Sequence, residues 1–358
     1  ATYKRTFSRK RYLDLLGGFT FEKKTVDYTY TRGSGFMDDN VTAKNMGSLL
    51  DPRNYSINDY ENIRTRISVL ARANYNYKKK YYLTLTARAD GASNFAPSRK
   101  WGFFPAAAFR WNINKNVSFR ASAGRSGNDA ISTYLSIPTL TAARTNWLFG
   151  DYQPISYYNT RLANSNLTWE TTDSYNVGFN FDILHNRISI EADAYLSYTR
   201  DLLLSTKTGY VTGYGTYMTN AGTTRNMGVE FTLKAVEIRR RNFEWSTSLT
   251  LAHNAQIVTD AVYDELRGTY SNPRTSAEII YGFKTGYPRN SLWGYQYCGV
   301  WKDEQEYNRN IYTKTYVTGS LASSWSSNIG RARYLDVNHD GVLDQSDEVY
   351  LGCSDPVL

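Results

Sequence analysis

The residues with the most chemistry in them lie near the C-terminal end. Asp336-Val337-Asn338-His339-Asp340-Gly341-Val342-Leu343-Asp344-Gln345-Ser346-Asp347 follows the D-x-N-x-D-G pattern of a calcium loop. In such a loop oxygen ligands fall at positions 1, 3 and 5, glycine at 6 makes the sharp turn, and position 7 offers a backbone carbonyl. Here these are Asp336, Asn338, Asp340, Gly341 and Val342, with Asp344 at position 9 able to bind directly or through water. Position 12 is Asp347, not the usual Glu; its shorter arm favours a single oxygen, so a modest affinity is expected. The expected ligands of a hard cation (calcium first, magnesium second) are therefore Asp336, Asn338, Asp340, Val342, Asp344 and Asp347. No clear helix flanks the loop, so its expected work is to stiffen a surface segment. The competing reading is a metal-free acidic turn held by side-chain to backbone hydrogen bonds.

Catalytic constellations are missing from the sequence. His185, His253 and His339 have no zinc-type H-E-x-x-H spacing. There is no G-x-S-x-G elbow and no G-x-x-x-x-G-K phosphate loop. Gly213-Tyr214-Gly215 has no strand–helix context, Cys298 has no neighbouring histidine, and Asp38-Asp39 reads as a solvated turn. No enzyme is expected. Tyr152, Tyr157, Tyr158, Tyr210, Tyr214, Tyr217, Trp293 and Tyr295 lie in or near loops. Such rings can stack on sugars or peptides, or pack among themselves.

The elements that must position these residues are strands. From Val69, every second residue is Val69, Ala71, Ala73, Tyr75 and Tyr77, against Ser68, Leu70, Arg72, Asn74 and Asn76. That period of two makes a strand with one apolar and one largely polar face. A basic turn, Lys78 to Lys80, leads to Leu83, Leu85, Ala87 and Ala89 alternating with Tyr82, Thr84, Thr86 and Arg88. After a polar loop, Asp90 to Lys100, a third strand carries Phe103, Pro105, Ala107, Phe109 and Trp111 on one face. Strands of about ten residues suit a tilted bilayer crossing. Tyr75, Tyr77, Tyr81 and Trp111 fall at the short-turn end, Trp101 and Phe103 at the long-loop end. Two aromatic levels, short turns on one side and long loops on the other describe an outer-membrane β-barrel. A soluble sandwich with one wet face is the alternative.

Composition is compatible. The chain has 31 Tyr, 15 Phe and 8 Trp in 358 residues, and tyrosine suits an interface where its ring is apolar and its hydroxyl wet. Mean hydropathy is negative, as luminal and loop residues dilute a lipid-facing half. No run approaches the ~18 apolar residues of a membrane helix. The formal net charge of +9 is spread along the chain, partly in turns such as Lys78–Lys80 and Arg239–Arg241, and no recognition motif accompanies it, so a nucleic-acid partner is not expected. Cys298 and Cys353 decide nothing by themselves. Ala1 to Arg11 is polar and basic with no apolar core of a signal peptide; for an exported protein this implies a processed or partial chain.

Further along, Leu13, Leu15, Phe19 and Phe21 share a face, and Glu22 to Asn62 reads as a long external loop. Val117 to Ala123 is a short strand, and Gly124 to Asn166 a very long loop, a length usually tied to function. Tyr175 to Phe181 and Ile188 to Ala194 form a hairpin whose register places Glu191 and Asp193 in the lumen, since charge is costly against lipid. Thr199 to Thr224 reads as an external loop, Met227 to Leu233 and Phe243 to Leu251 as strands around a basic turn at Glu237 to Asn242. Beyond Ala252 loops dominate. The expectation is one domain over residues 1–358, all-β and antiparallel, with roughly nine to eleven strands. The pattern starts midway and ends at Asp355-Pro356-Val357-Leu358 without a closing strand, and an open edge is not viable in lipid, so a larger barrel is expected.

Several stretches resemble one family. Ala87 to Trp111 (ARADGASNFAPSRKWGFFPAAAFRW) resembles the R-x-D-G-S-S-x-F-G-P…R-x-G-x-F-P-S…W segment of SusC-like TonB-dependent transporters. Asn164 to Glu170 (NSNLTWE) is similar to their N-P-x-L-x-W-E, Asp201 to Phe231 to their DLL…G…NVG…N-x-G-x-E, and Tyr287 to Trp301 to their P-x-x-S-x-x-G-Y…G-I-W. The calcium-like loop followed by Tyr350-Leu351-Gly352 resembles their D-x-N-G-D-G-x-I-D…D…I-G, with His339 where Gly is usual. Ala92 stands for the usual Ser, and Cys298 and Cys353 are not usual. The resemblance implies the C-terminal part of a transmembrane β-barrel of about 22 strands, without the plug and terminal strands, and with long extracellular loops. It implies a Gram-negative outer-membrane protein importing a glycan (oligosaccharide) or a peptide. The partners it implies are a SusD-like surface lipoprotein and, through the plug, the TonB–ExbB–ExbD complex. A passive porin or a surface binding protein is the alternative function.

Overall fold

A computed structural model of the chain describes residues 1–8, 10–36, 55–144, 150, 154–159, 161–185, 187–261, 268–271, 278–282, 284–302, 330, 332–339 and 345–353. The strands, in chain order, are β1 (Thr2–Ser8), β2 (Arg11–Gly33), β3 (Tyr55–Tyr77), β4 (Tyr81–Ala92), β5 (Trp101–Asn112), β6 (Val117–Asn128), β7 (Leu140–Arg144), β8 (Ile155–Asn159), β9 (Glu170–Ile183) and β10 (Ile188–Arg200). They continue as β11 (Leu203–Lys207), β12 (Thr216–Asn220), β13 (Thr223–Arg240), β14 (Phe243–Asp260), β15 (Gly268–Ser271), β16 (Glu278–Gly282), β17 (Ser291–Tyr295), β18 (Tyr297–Val300), β19 (Ala332–Tyr334) and β20 (Glu348–Cys353). The chain divides into two compact units, residues 1–181 with 201–220, and residues 182–200 with 221–358.

The first unit is a wall of antiparallel strands in the order β1-β2-β3-β4-β5-β6-β9, to which the hairpins β7–β8 and β11–β12 are added. The register aligns side chains in rows across the wall. Leu13, Tyr75, Leu83, Phe109, Ala121 and Val177 occupy directly paired positions. The adjacent row, on the opposite face, is Asp14, Asn74, Thr84, Ala108, Ser122 and Asn176. The apolar face is exposed along its length, as with Phe19, Val69, Leu85, Phe103 and Val177. This is the lipid-facing surface. The polar face carries its own partners: Thr84 Oγ1 donates to Asn74 Oδ1 at 2.9 Å, and Arg88 donates to Asp90 at 2.8 Å and to Ser68 at 3.1 Å.

The two aromatic levels are present. At the short-turn end Tyr77 and Tyr81 stack with centroids 6.4 Å apart, and Tyr81 and Trp111 at 6.2 Å. Cations from the turns lie over these rings: Arg11 and Lys78 over Tyr77, Lys80 over Tyr81. Lys78 and Lys79 reach the left-handed backbone (φ +54° and +55°) that a tight primed turn requires. Trp101 and Phe103 stand exposed at the other end. An aromatic ring with a polar neighbour at each level fits the wet–dry boundary of a bilayer.

In the second unit β10, β13 and β14 pair in that order, and β15-β16-β17-β20 form a separate sheet. Ala192, Phe231 and Leu251 align on one face, Asp193, Glu230 and Ala252 on the other, so Glu191 and Asp193 lie opposite the lipid-facing side as the alternation requires. The long sheet has ten strands, within the expected nine to eleven, and the described residues hold ten further short strands that were not expected.

Four expected loops and turns are in part strand. Glu22–Gly33 and Tyr55–Asn62 are paired halves of β2 and β3, with Tyr28 stacked on Tyr60 at 4.9 Å. Residues 37–54 of that expected loop lie outside the described residues. β6 runs on to Asn128, and the long stretch after it contains the hairpin β7–β8. The segment after β10 contains β11–β12. The turn at Glu237–Asn242 is tighter than expected: β13 reaches Arg240, after a bulge between Val236 and Ile238. The extra residue, Glu237, brings Ile238 opposite Trp245 in its place, which keeps the apolar face continuous down to the turn.

Candidate functional site

The described part of the wall's long-loop end is held by one small core. Ala92, Phe95, Phe104, Ile131, Leu167 and Trp169 are buried together, with Leu135, Leu203 and Met218 packed against them. Phe104 is the polar-face residue of β5, turned inward, and its ring meets Trp169 edge-on at 5.2 Å; Phe95 meets the same indole at 5.4 Å. Trp169 Nε1 donates to the Lys100 carbonyl at 2.9 Å, so the buried indole's polar atom is satisfied. Two glycines make the room. A Cβ at Gly102 would lie 2.4 Å from the Phe104 ring, and one at Gly127 2.2 Å from it.

Around this core Asn164, Thr168 and Glu170 of the Asn164–Glu170 stretch tie the segments together. Asn164 receives its fold from both sides, its N–H donating to Leu135 O at 3.0 Å and its Nδ2 to Met218 O at 3.0 Å. Thr168 and Asn220 exchange two bonds of 2.9 Å, backbone N–H to Oδ1 and Nδ2 to backbone O, which imitates a strand pair. Glu170 accepts from Leu203 N–H and from Asn128 Nδ2, both at 3.1 Å. On the polar face of β3, Arg64 and Arg66 both contact the buried carboxylate of Asp129, Arg66 at 2.8 Å. Asn94 Nδ2 donates to the carbonyls of Asp129 and Ile131, and Thr133 Oγ1 donates to Asn62 Oδ1 at 2.7 Å. Segments 93–100, 129–136, 161–169 and 201–220 are thereby fastened to one rim. The arrangement fixes these loops to the end of the wall.

This predicts a steep steric penalty. Gly127→Ala forces the Phe104 ring off Trp169 and should lower stability by about 1–3 kcal/mol, the range for overpacking. Loss of a few degrees in the melting temperature of the detergent-solubilised protein would show it; an unchanged melt would mean the ring yields freely.

The acidic loop is partly described. Asp336 and Asp347 are buried, at 3% and 0% exposure, while Asn338 is exposed. Val337 N–H donates to Asp347 Oδ1 at 2.8 Å, which closes position 12 onto the start of the loop. His339 adopts φ +61°, the conformation that explains why glycine is usual there. Asp340, Val342 and Asp344 lie outside the described residues. Two buried carboxylates drawn to one loop are a donor set that suits a hard cation, so the described residues fit one. Among the described residues no group of three metal-ligating side chains is assembled.

The aromatic candidates separate into two classes. Tyr157 and Tyr158 on β8 are exposed. Trp293 is buried in a cluster with Tyr287 at 4.8 Å and Tyr350 at 6.0 Å, and Lys284 lies 4.9 Å from its ring centre. It is a packing residue. Tyr152 lies outside the described residues.

Comparison with known proteins agrees with this architecture. The family described as "TonB dependent receptor-like, beta-barrel" matches residues 2–342. The chain is 29% identical to TonB-dependent receptor P26 of Formosa agariphila, over 99% of the chain and 36% of that protein. It is 30% identical to TonB-dependent receptor SusC of Bacteroides thetaiotaomicron, over 66% of the chain and 26% of that protein. A solved structure of the RagAB peptide importer in its closed-closed state superposes with a TM-score of 0.73 at 22% identity, covering 98% of this chain and 37% of the other. The chain thus spans about a third of the length of the first of these relatives. A lipid-facing apolar wall, two aromatic levels and a match over nearly all the residues lead to one conclusion: the chain belongs to the TonB-dependent receptor β-barrel family, and its place is the outer membrane.

Proposed function

We propose that this chain is part of an active importer that takes up a glycan or a peptide across the outer membrane. It works with a SusD-like surface lipoprotein and draws its energy from the TonB–ExbB–ExbD complex. The observation that carries the reading is the rim: loops clamped through Trp169, Asp129 and Glu170 give a stiff mouth over a polar inner face. The names of the relatives support it, since SusC is a TonB-dependent receptor and the RagAB complex is a peptide importer. The test is uptake of fluorescent hexasaccharides and hexapeptides by cells carrying the full-length protein, with and without TonB. Loss of uptake in the strain lacking TonB is expected. Equal uptake in both strains would make the protein a passive pore.

The loop from Asp336 to Asp347 holds calcium in this reading, through Asp336, Asn338, Asp340, Val342, Asp344 and Asp347. The ion would neutralise the buried Asp336 and Asp347. Adding calcium to chelator-treated protein should raise the melting temperature, since a ligand that binds only the folded state stabilises it. Asp336→Ala should remove that rise without lowering the chelated baseline by as much. A rise equal to wild type in the variant would leave the loop a metal-free turn.

A further inference from the structure

The hairpin of β2 and β3 changes faces where it leaves the membrane. From Leu13 to Phe21 and from Ile67 to Tyr77 its odd-numbered residues are apolar or glycine and exposed or half-buried, Phe19 at 65% and Val69 at 51%. Beyond the Glu22–Arg66 pair the same face becomes mixed, with Lys23 opposite Thr65, Thr25 opposite Ile63, Asp27 opposite Glu61, Thr29 opposite Asp59 and Thr31 opposite Ile57. The other face turns aromatic past the cationic pair Lys24–Arg64: Val26 opposite Asn62, Tyr28 opposite Tyr60, Tyr30 opposite Asn58. The β2–β3 ladder runs from Arg11–Tyr77 to Gly33–Tyr55 without a register shift, so the swap lies in the residues and not in a bulge. Tyr28, Tyr30 and Tyr60 stay 42%, 42% and 49% exposed. They lie on the side where Asn62 accepts from Thr133 and where Arg64 and Arg66 hold Asp129, that is, the inner side of the rim.

We infer that this face is a carbohydrate-stacking ledge: the stacked pair Tyr28–Tyr60, with Tyr30 beside it and Asn58 and Asn62 alternating along β3, takes pyranose rings at the mouth. The inference rests on the glycan branch of the proposed function and names where the sugar first lands. Tyrosine offers a broad, rigid, half-apolar surface at low entropy cost, and each asparagine amide offers both a donor and an acceptor. The six paired positions carry no charge, as a neutral sugar requires, and the cations of the same face, Lys24, Arg64 and Arg32, flank them. A protein lid is a poorer fit. The three rings expose roughly 300 Å² at ~200 Å² of ring-bearing side chain each, far short of the ~800 Å² per partner of a stable interface.

The experiment uses the full-length protein in detergent, titrated by saturation-transfer NMR with maltohexaose, laminarihexaose, mannohexaose and, as the competing class, hexa-alanine. Wild type should bind a hexasaccharide. Tyr28→Ala with Tyr60→Ala should weaken it about tenfold or more, and Tyr28→Phe with Tyr60→Phe should stay within about twofold, because two stacked rings at 0.5–1.5 kcal/mol each make roughly a factor of ten. Heat-modified gel mobility checks that each variant folds. A hexasaccharide bound equally by the alanine variant overturns the ledge and leaves glycan import standing. Binding of hexa-alanine alone, or of none of the hexasaccharides, overturns both the ledge and the glycan branch.

Discussion

Ala107→Arg should stop the barrel from inserting, and Ala108→Arg should leave it nearly untouched. The two residues are neighbours of one type on β5, so helix or strand propensity and side-chain size cancel. Ala107 is aligned with Leu85 and Ala123 on the lipid face. Ala108 is aligned with Thr84 and Ser122 on the inner face, with Arg110 the next residue of that face along the strand. A guanidinium on the lipid face near the bilayer middle costs about 2–4 kcal/mol; in a wet lumen it costs roughly nothing. The measurement is urea-dependent folding into vesicles, followed by gel mobility. Similar midpoints for the two variants would mean that the inner and outer faces have been exchanged.

Trp169→Ala should loosen the whole rim. The indole is 4% exposed, packs on Phe95 and Phe104, and holds the Lys100 carbonyl. Removing a buried tryptophan costs about 3–5 kcal/mol, and the loss falls on loops and not on the wall. The expected result is rapid cleavage by added protease within segments 93–100, 129–136 and 201–220 on intact cells, with the wall still folded. Trp169→Phe keeps the ring contacts and loses one hydrogen bond worth about 1 kcal/mol, so its cleavage should fall between the two. Protease resistance in Trp169→Ala equal to wild type would show that Glu170, Asn164 and Asp129 hold the rim without the indole.

The wall was legible in the sequence because its signal is local. Val69 to Tyr77 and Leu83 to Ala89 alternate with period two, and lipid on one side enforces that alternation residue by residue. The calcium-like spacing was legible for the same reason. The extension of β2 was hidden by its own composition. Thr25-Val26-Asp27-Tyr28-Thr29-Tyr30 does alternate, but in the opposite sense to Phe19 and Phe21, and Asp59, Glu61 and Asn62 on β3 read as turn residues. Once outside the membrane a strand needs no apolar outer face, so the rule that located the wall ceases to apply. The rim core was hidden for another reason. Phe95, Phe104, Ile131 and Trp169 meet across long sequence separations, and nothing in the spacing of one segment announces its partner in another. Phe95 and Phe104 lie in one stretch that resembles the family, Ala87 to Trp111, and Trp169 in another, Asn164 to Glu170; what joins the two stretches is the contact of three rings over Gly102 and Gly127.

The pairing order of the wall also bears on how it is built. β1 to β5 each pair with the next strand in sequence, across connections as tight as residues 78–80 and 113–116. β6 pairs instead with β9, and residues 129–169 must be closed into a loop first. Closing a loop of that length costs roughly 2 kcal/mol more than closing a turn of three. Asp129 at one end of the loop is gripped by Arg64 and Arg66, and Trp169 at the other is seated on Phe104, all on strands that come earlier in the chain. The first hairpins can therefore serve as a jig, holding both ends of the loop where β9 must arrive before its own ladder zips.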